Sequence, residues 1–352
     1  MTELNQLPPI DTTLLIRFLV DLLKTPSPTG FTEEALALTE RLFRTLPGVK
    51  TARTRKGALV VTLEGEQQNA PRALAAHVDT LGALVKVIKP SGRLTMSMIG
   101  GYAWNTIEGE GCTVFTRDGK RIRGSILLTL ASSHVYGAKT GETKREADTL
   151  EVRLDEKVSS DKDTRALGIS VGDFIAFDPR VELTNGFVRS RHLDNKAGVA
   201  CLLEAARALT AEGRKPLQTT HFFISNFEEV GHGAATGIPA DTAELVVVDM
   251  AAIGEGQTSD EYHATLCVKD SSGPYHYGLS NHLRTLAEKY QVPHKVDIYP
   301  YYGSDGSAFW RAGGDTAVAL IGPGVDASHS YERTHTDALA ATTNWVLAYL
   351  LN

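Results

Sequence analysis

Cysteine is scarce in this chain of 352 residues. There are three, at 112, 201 and 267, far apart and with no Cys-x-x-Cys pair. That excludes a disulfide framework and a thiolate zinc cage, and it points to a reducing, cytoplasmic setting. Long apolar runs are missing too. No stretch reaches the roughly 20 residues that a membrane span needs, so no membrane partner is expected. The opening MTELNQLPPIDTT is polar and acidic, not a basic segment leading into an apolar one. Positive charge is also short: 36 Lys plus Arg against 42 Asp plus Glu, a formal charge of −6. Without a basic stripe, nucleic acid is not an expected partner. No internal repeat or low-complexity tract occurs.

What remains is ordinary for a soluble globular protein, with 42% hydrophobic and 22% charged residues in a chain long enough for two domains. Leu14, Leu15, Phe18, Leu19, Leu22 and Leu23 recur at helical spacing, with an N-cap at 11–13 and Pro26 and Pro28 as the stop. A second helix is expected over 32–46, and GALVVTLEG and RALAAHVD read as strands. From about 85 to 185 the texture changes. Turns such as KPSGR and TRDGKR separate strand-like runs, and no convincing amphipathic helix appears. Alternation then resumes, with helices near 194–209, 278–290, 304–312 and 337–351 and apolar strands THFFISN, ELVVVDM, ATLCVKD and TAVALIG. The pattern predicts an α/β domain with a central mixed, largely parallel sheet, formed by residues 1–84 and 186–352 and interrupted by an all-β domain over 85–185.

Acidic residues and histidines gather at the carboxyl ends of the expected strands, where open α/β sheets bind ligands. LAAHVDT places His77 and Asp79 there, SNFEEVGHGAA places Glu228 and Glu229, and LVVVDMA places Asp249. Asp194 stands at a loop-to-helix junction, and His335 precedes the last helix. Adjacent carboxylates at the end of a buried strand are costly unless a cation compensates them. Two histidines with several carboxylates and no thiolate suit Zn²⁺, Co²⁺ or Mn²⁺. Five ligands exceed what one catalytic metal needs but suit two metals sharing a bridging carboxylate, with Glu229 as ligand and Glu228 as general base.

In this order, His-x-Asp, Asp-Asn-Lys, Glu-Glu-Val-Gly, Val-Asp and Arg-Thr-His resemble the M42 family of dinuclear metallo-aminopeptidases. That family includes glutamyl and deblocking enzymes that form tetrahedral dodecamers. The resemblance covers essentially the whole chain. It implies a zinc-peptidase-like three-layer α/β domain carrying a PDZ-like dimerisation domain, and a homo-oligomer acting on short peptides in the cytoplasm. It implies two divalent ions per subunit: one on His77 and Asp249, the other on Glu229 and His335, with Asp194 bridging. Glu228 would be the base acting on a metal-bridging hydroxide, and Asp79 would hydrogen-bond the far nitrogen of His77. YGSDGSAF resembles the family's Gly-Thr-Asp-Ala segment, so Asp305 is expected at the substrate end, and His232 is expected to line the pocket. Two stretches depart from the family pattern: Asp194-Asn195-Lys196 and Gly231-His232-Gly233-Ala234.

Taken singly, each residue has a bland alternative. Asp194 and Asp249 could cap helices, and the Glu pair could be a solvated edge. His192 reads as supporting a ligand rather than as one, and His134 as a surface-loop residue. His221, His263, His276, His282, His294 and His329 receive no role, and Tyr299, Tyr301 and Tyr302 read as packing. The enzymatic alternative is a metal-dependent deacylase or carboxypeptidase-type hydrolase on a dedicated small peptide. A likeness to the M42 branch associated with synthesis of an acetylated glutamine dipeptide osmolyte supports that option. A catalytically silent oligomeric scaffold would have lost these residues, and this chain has kept them.

Overall fold

The structure, a computed structural model, describes residues 6–352. Helix α1 (Thr12–Leu23) starts where the Asp11 carboxylate accepts from the Leu14 amide, and it buries Leu15, Phe18, Leu19, Leu22 and Leu23. Helix α2 (Glu33–Phe43) leads into the hairpin β1 (Val49–Arg53) and β2 (Leu59–Leu63) and then β3 (Gln67–His77). The chain next enters six strands: β4 (Gly82–Ile88), β5 (Leu94–Ile99), β6 (Gly111–Phe115), β7 (Arg121–Leu128), β8 (Leu150–Leu154) and β9 (Phe174–Phe177). Short helices α3 (Ser133–Tyr136), α4 (Lys139–Glu142) and α5 (Asp161–Ala166) lie between them. Strands β10 (Glu182–Thr184) and β11 (Phe187–Ser190) lead to α6 (Leu193–Ala211), β12 (Gln218–Ser225), β13 (Glu244–Val248) and β14 (Ala251–Ala252). The rest comprises β15 (Ala264–Asp270), β16 (Gly273–Pro274), α7 (Tyr277–Lys289), β17 (His294–Ile298), α8 (Asp305–Arg311), β18 (Ala317–Val325), β19 (Glu332–His335) and α9 (Thr336–Leu350).

The main sheet runs β1-β2-β12-β3-β13-β18-β15-β16, with β17 on β15 and β14 on β18. Its middle pairs, β12/β3, β3/β13 and β13/β18, are parallel, and the β1-β2-β12 and β18-β15-β16 pairings are antiparallel. The central strands are apolar on both faces because both faces are covered. In β3, Leu74 and Ala76 join the core under α1, α6, α7 and α9, while Ala73 and Ala75 join a second core beneath α8. That period-two split makes the domain three layers deep.

The inserted unit is a closed barrel, β4-β5-β8-β7-β6-β9, with its own core around Val85, Met96, Val114, Ile126, Val152 and Ile175. Closure satisfies the strand edges that a small sheet would expose. Its strands span Gly82 to Phe177, so both edges differ from the expected 85–185. Residues 182–190 instead form the hairpin β10-β11, whose β11 pairs with β19 in a three-stranded sheet of the main domain. Nor is the insertion purely β, since α3, α4 and α5 lie within it. These helices have only four to six residues, too short to show an amphipathic period. Among the described residues no helix is long and apolar enough to cross a membrane.

Two short connections decide where the barrel sits. Four residues separate His77 from Gly82, and four separate Phe177 from Glu182 of β10. The insertion therefore enters directly from the carboxyl end of β3 and returns to the main domain through β10 and β11, which end four residues before Asp194.

Candidate metal centre

Parallel registry sets Ser225 beside His77 and Val247 beside Ala75, so Asp249 emerges level with His77 one strand away. Neighbouring strands are about 4.8 Å apart, which brings these termini within reach of one another. Gly322 on β18 passes under Asp249, and a methyl group there would run into the Asp249 carbonyl oxygen. Asp194 arrives from the other side at the start of α6, where the backbone of Asp194 and Asn195 is not yet helical and their peptide bond is cis.

Asp194 is the hub. Its Oδ1 lies 3.1 Å from His77 Nε2 and its Oδ2 lies 3.4 Å from His329 Nε2. His77 Nε2 also faces Glu228 Oε2 at 3.6 Å and Asp249 Oδ2 at 3.9 Å, and His329 Nε2 faces Glu229 Oε2 at 3.6 Å. Ligand atoms of His77, Asp194 and Asp249 all lie within 4.8 Å of one another, close enough to hold a metal ion. Each histidine is aimed by its other nitrogen: Nδ1 of His77 donates to the Asp79 carbonyl at 2.9 Å, and Nδ1 of His329 donates to the carbonyl of Gly101 in the barrel unit. Such bonds fix the ring and leave Nε2 for the centre.

The expected site residues fall into three groups. His77, Asp194, Glu228, Glu229 and Asp249 converge as read from the sequence. Asp79 and Asp305 are close but do different work. The Asp79 carboxylate accepts from the backbone amides of Glu228 (3.1 Å) and Glu229 (3.2 Å) and from the Thr29 hydroxyl (2.7 Å). It therefore orients the Glu pair, and its carbonyl rather than its carboxylate holds His77. Asp305 is buried with both oxygens committed, to the Ser225 hydroxyl (2.5 Å) and the Ala234 amide (2.6 Å). It locks α8 to the loop after the Glu pair and is not free to touch a substrate. His232 and His335 lie outside the cluster. The His232 side chain is exposed, while its carbonyl accepts from the Lys56 ammonium.

His335 is corrected by strand geometry. Strand β19 pairs Glu332 with Ser190 and His335 with Phe187. Three residues along a strand is about 10 Å and an odd step, so His335 also points to the opposite face from Glu332. Its ring packs on Phe187 and Tyr262, its Nδ1 accepts from the Asp337 amide as the cap of α9, and its Nε2 faces the Asn185 carbonyl at 3.3 Å. His329, given no role from sequence, stands in the cluster where His335 was expected. The usable signal was its spacing from Glu332, whose two oxygens accept from the His329 amide and the Asp194 amide, each at 3.1 Å. The departures from the family pattern at 195 and 196 also turn away from the cavity. Asn195 donates to the Val248 carbonyl, and Lys196 donates to the carbonyls of Leu22 and Thr25.

A cavity of about 410 Å³ opens over the cluster, with Tyr302, Ser304, Arg311 and Ser328 on its walls. The tyrosine trio separates accordingly: Tyr299 is core, Tyr302 donates to the Met250 carbonyl beside the cavity, and Tyr301 is 97% exposed on the rim. Electrostatics follow from crowding. Burial and the neighbouring Asp194 push Glu229 up to about 8 and Asp249 up to about 7. Burial likewise holds Glu228 well above the usual carboxylate range against the pull of His77. Burial would also raise Asp194, but hydrogen bonds from His329 and His77 override it and hold Asp194 below that range. Burial would lower His329, yet Asp194 and Glu229 raise it to about 10. A nitrogen and oxygen donor set this rich in anionic charge fits divalent cations.

Fold and cluster together define an α/β protein with an enzyme-type site of buried histidines and carboxylates at strand carboxyl ends. The particular family is given by comparison. The profile described as M42 glutamyl aminopeptidase matches residues 57–345, and the chain belongs to this M42 peptidase family, which makes it a hydrolase of the aminopeptidase type. A Bacillus subtilis (strain 168) protein named "Putative aminopeptidase YhfE" is 50% identical over 331 residues, covering 94% of this chain and 95% of that protein. The glutamyl aminopeptidase of Lactococcus lactis subsp. cremoris (strain MG1363) is 27% identical over 297 residues, covering 78% of this chain and 79% of that one. Two archaeal structures share the fold at 23% identity. An aminopeptidase from Desulfurococcus kamchatkensis has a TM-score of 0.86, covering 96% of this chain and 95% of that chain. The Pyrococcus horikoshii TET1 peptidase, which can assemble into a tetrahedron or a large octahedral shell, has a TM-score of 0.82, covering 96% and 99%.

These shifts have a definite sign. Glu229 and Asp249 titrate near 8 and near 7 when folded, against about 4 when unfolded, so rising pH costs the folded state stability across that interval. The contribution of His329 is complete below 6.5 and is lost as pH rises through about 10. Asp194 works the other way but is already fully ionised above about pH 5. Chelator-treated protein should therefore lose thermal stability from about pH 5 to 10, and excess Zn²⁺ or Co²⁺ should flatten the fall. A melting temperature that stays level or climbs with pH in chelator would contradict the charge balance described.

Proposed function

We propose that the protein is a metal-dependent aminopeptidase that removes N-terminal residues from short peptides in the cytoplasm. The observation that carries this reading is the pair of histidines facing the two oxygens of one buried aspartate, with separate carboxylates on either side. His77 and Asp249 would hold one divalent ion, His329 and Glu229 a second, and Asp194 both. Two such ions, Zn²⁺ or Co²⁺ or else Mn²⁺, supply acidification of a water and polarisation of the scissile carbonyl.

The remaining steps belong to the chain. Glu228 Oε2 takes the proton of the attacking water and returns it to the leaving amine. Burial raises this carboxyl well above its ordinary value, which favours its holding the proton between the two transfers. Asp79 holds the backbone amides of Glu228 and Glu229, so the base and its neighbour keep distinct directions. The fixed turn of α8 and the Lys56 contact to the carbonyls of His232 and Gly233 close the loop beyond them. The barrel is read as the PDZ-like dimerisation unit of a homo-oligomer, dimer-based and of the dodecameric kind found among the structural relatives.

Glu228→Gln should keep its bound metal and its fold yet lose at least about a hundredfold in kcat on free-amine peptides. Near-normal turnover by that variant would remove Glu228 from the role. Metal content separates the two histidines: His329→Ala should lose about one ion per chain by elemental analysis, while His335→Ala should keep both. The reverse result would restore His335 as the ligand. Light scattering at micromolar concentration should give a mass well above one chain, and a monomer there would end the assembly reading.

A further inference from the structure

Among the described residues, the cavity over the cluster holds one permanent cation. Arg311 closes α8, lines the cavity and is exposed, and its guanidinium makes no hydrogen bond or ion pair among the described residues. The other charged groups on the wall are Asp194, Glu228, Glu229, Asp249 and His329. Two divalent ions would offset the four carboxylates, which leaves the guanidinium as unspent positive charge facing the substrate. The helix that carries it is anchored at both ends. Ser304 and Ser307 form a capping box at the start of α8, the Asp305 carboxylate bolts that turn to Ser225 and Ala234, and Trp310 donates to the Thr316 carbonyl just beyond Arg311. The helix that carries Arg311 is thus registered to the loop that carries Glu228.

We propose that Arg311 is the residue that reads a substrate carboxylate, so that the preferred peptides carry one within reach of the scissile amide. This rests on the aminopeptidase reading above and names its substrate class. A guanidinium presents a planar fork that matches a carboxylate with two charge-assisted hydrogen bonds, whereas an isosteric amide offers one acceptor and no charge. Two sources supply that group: the acidic side chain of an N-terminal residue, or the free C-terminus of a dipeptide.

The test uses full-length, metal-loaded protein as wild type, Arg311→Gln and Arg311→Lys. Kinetics compare glutamyl with glutaminyl p-nitroanilide, and Leu-Leu with its C-terminal amide. Calorimetric titration compares L-glutamate with L-glutamine, and Leu-Leu with Leu-Leu amide on the inactive Glu228→Gln background. One of the two substrate pairs should favour the carboxylate by about tenfold or more in kcat/KM, as a charge-assisted pair gives. That ratio should fall towards one in Arg311→Gln and be partly kept in Arg311→Lys. The pair that responds identifies the source. Equal losses on both members of each pair make Arg311 a merely structural residue and overturn the proposal, as does a wild type with no carboxylate preference. If no substrate turns over, the aminopeptidase reading fails, and the binding ratio still decides the case: tighter glutamate or free dipeptide that depends on Arg311 upholds it, and its absence overturns it.

Discussion

Everything at this site leans on the carboxylate of Asp194. Its two oxygens face two histidines that come from opposite sides, one at the end of β3 and one on the loop after β18. Four carboxylates converge in a buried pocket, an arrangement whose desolvation cost is met by nearby cations or by taking up protons. The histidines offset part of that cost, which is why Asp194 stays ionised while Glu229 and Asp249 are driven up. The geometry is that of a cluster built around positive charge.

The barrel is part of that geometry rather than an appendage. Gly101, on the loop after β5, accepts from His329, and Gly100 lies against the Glu229 side chain. Arg191, buried three residues before Asp194, donates to the carbonyl of Thr106 and to Glu110 in the inserted unit and lies over the Phe177 ring. The barrel therefore helps set the position of one histidine and of the hub aspartate. Its entry from the end of β3 and its short return through β10 make this possible without long linkers.

A division of labour among carboxylates follows. Asp79, Asp305 and Glu332 spend their oxygens on backbone amides and hydroxyls of the site's own loops. Asp194, Glu228, Glu229 and Asp249 keep oxygens facing the cavity. Anions of the first kind hold the loops and anions of the second kind face the cavity, and residue type alone does not distinguish them. Asp305 illustrates this: a sequence reader places it at the substrate end, and only its two short hydrogen bonds show that it is occupied.

By itself the sequence determined the alternation of helices and strands and the presence of an inserted β unit. It also determined which residues stand at the carboxyl ends of β3, β12 and β13, because apolar runs and the charges that end them are local properties of the chain. It could not separate His329 from His335, six residues apart. That choice depends on the pairing of β19 with β11, which turns His335 onto the opposite face and leaves His329 in the loop above Asp194. Nor could it mark the barrel's true edges, since β10 and β11 look like insertion strands until β11 pairs with β19, about 145 positions away. The convergence of Arg311 on the same cavity is likewise tertiary. Local pattern sets which side chains a strand end offers, and only long-range packing decides which of them meet.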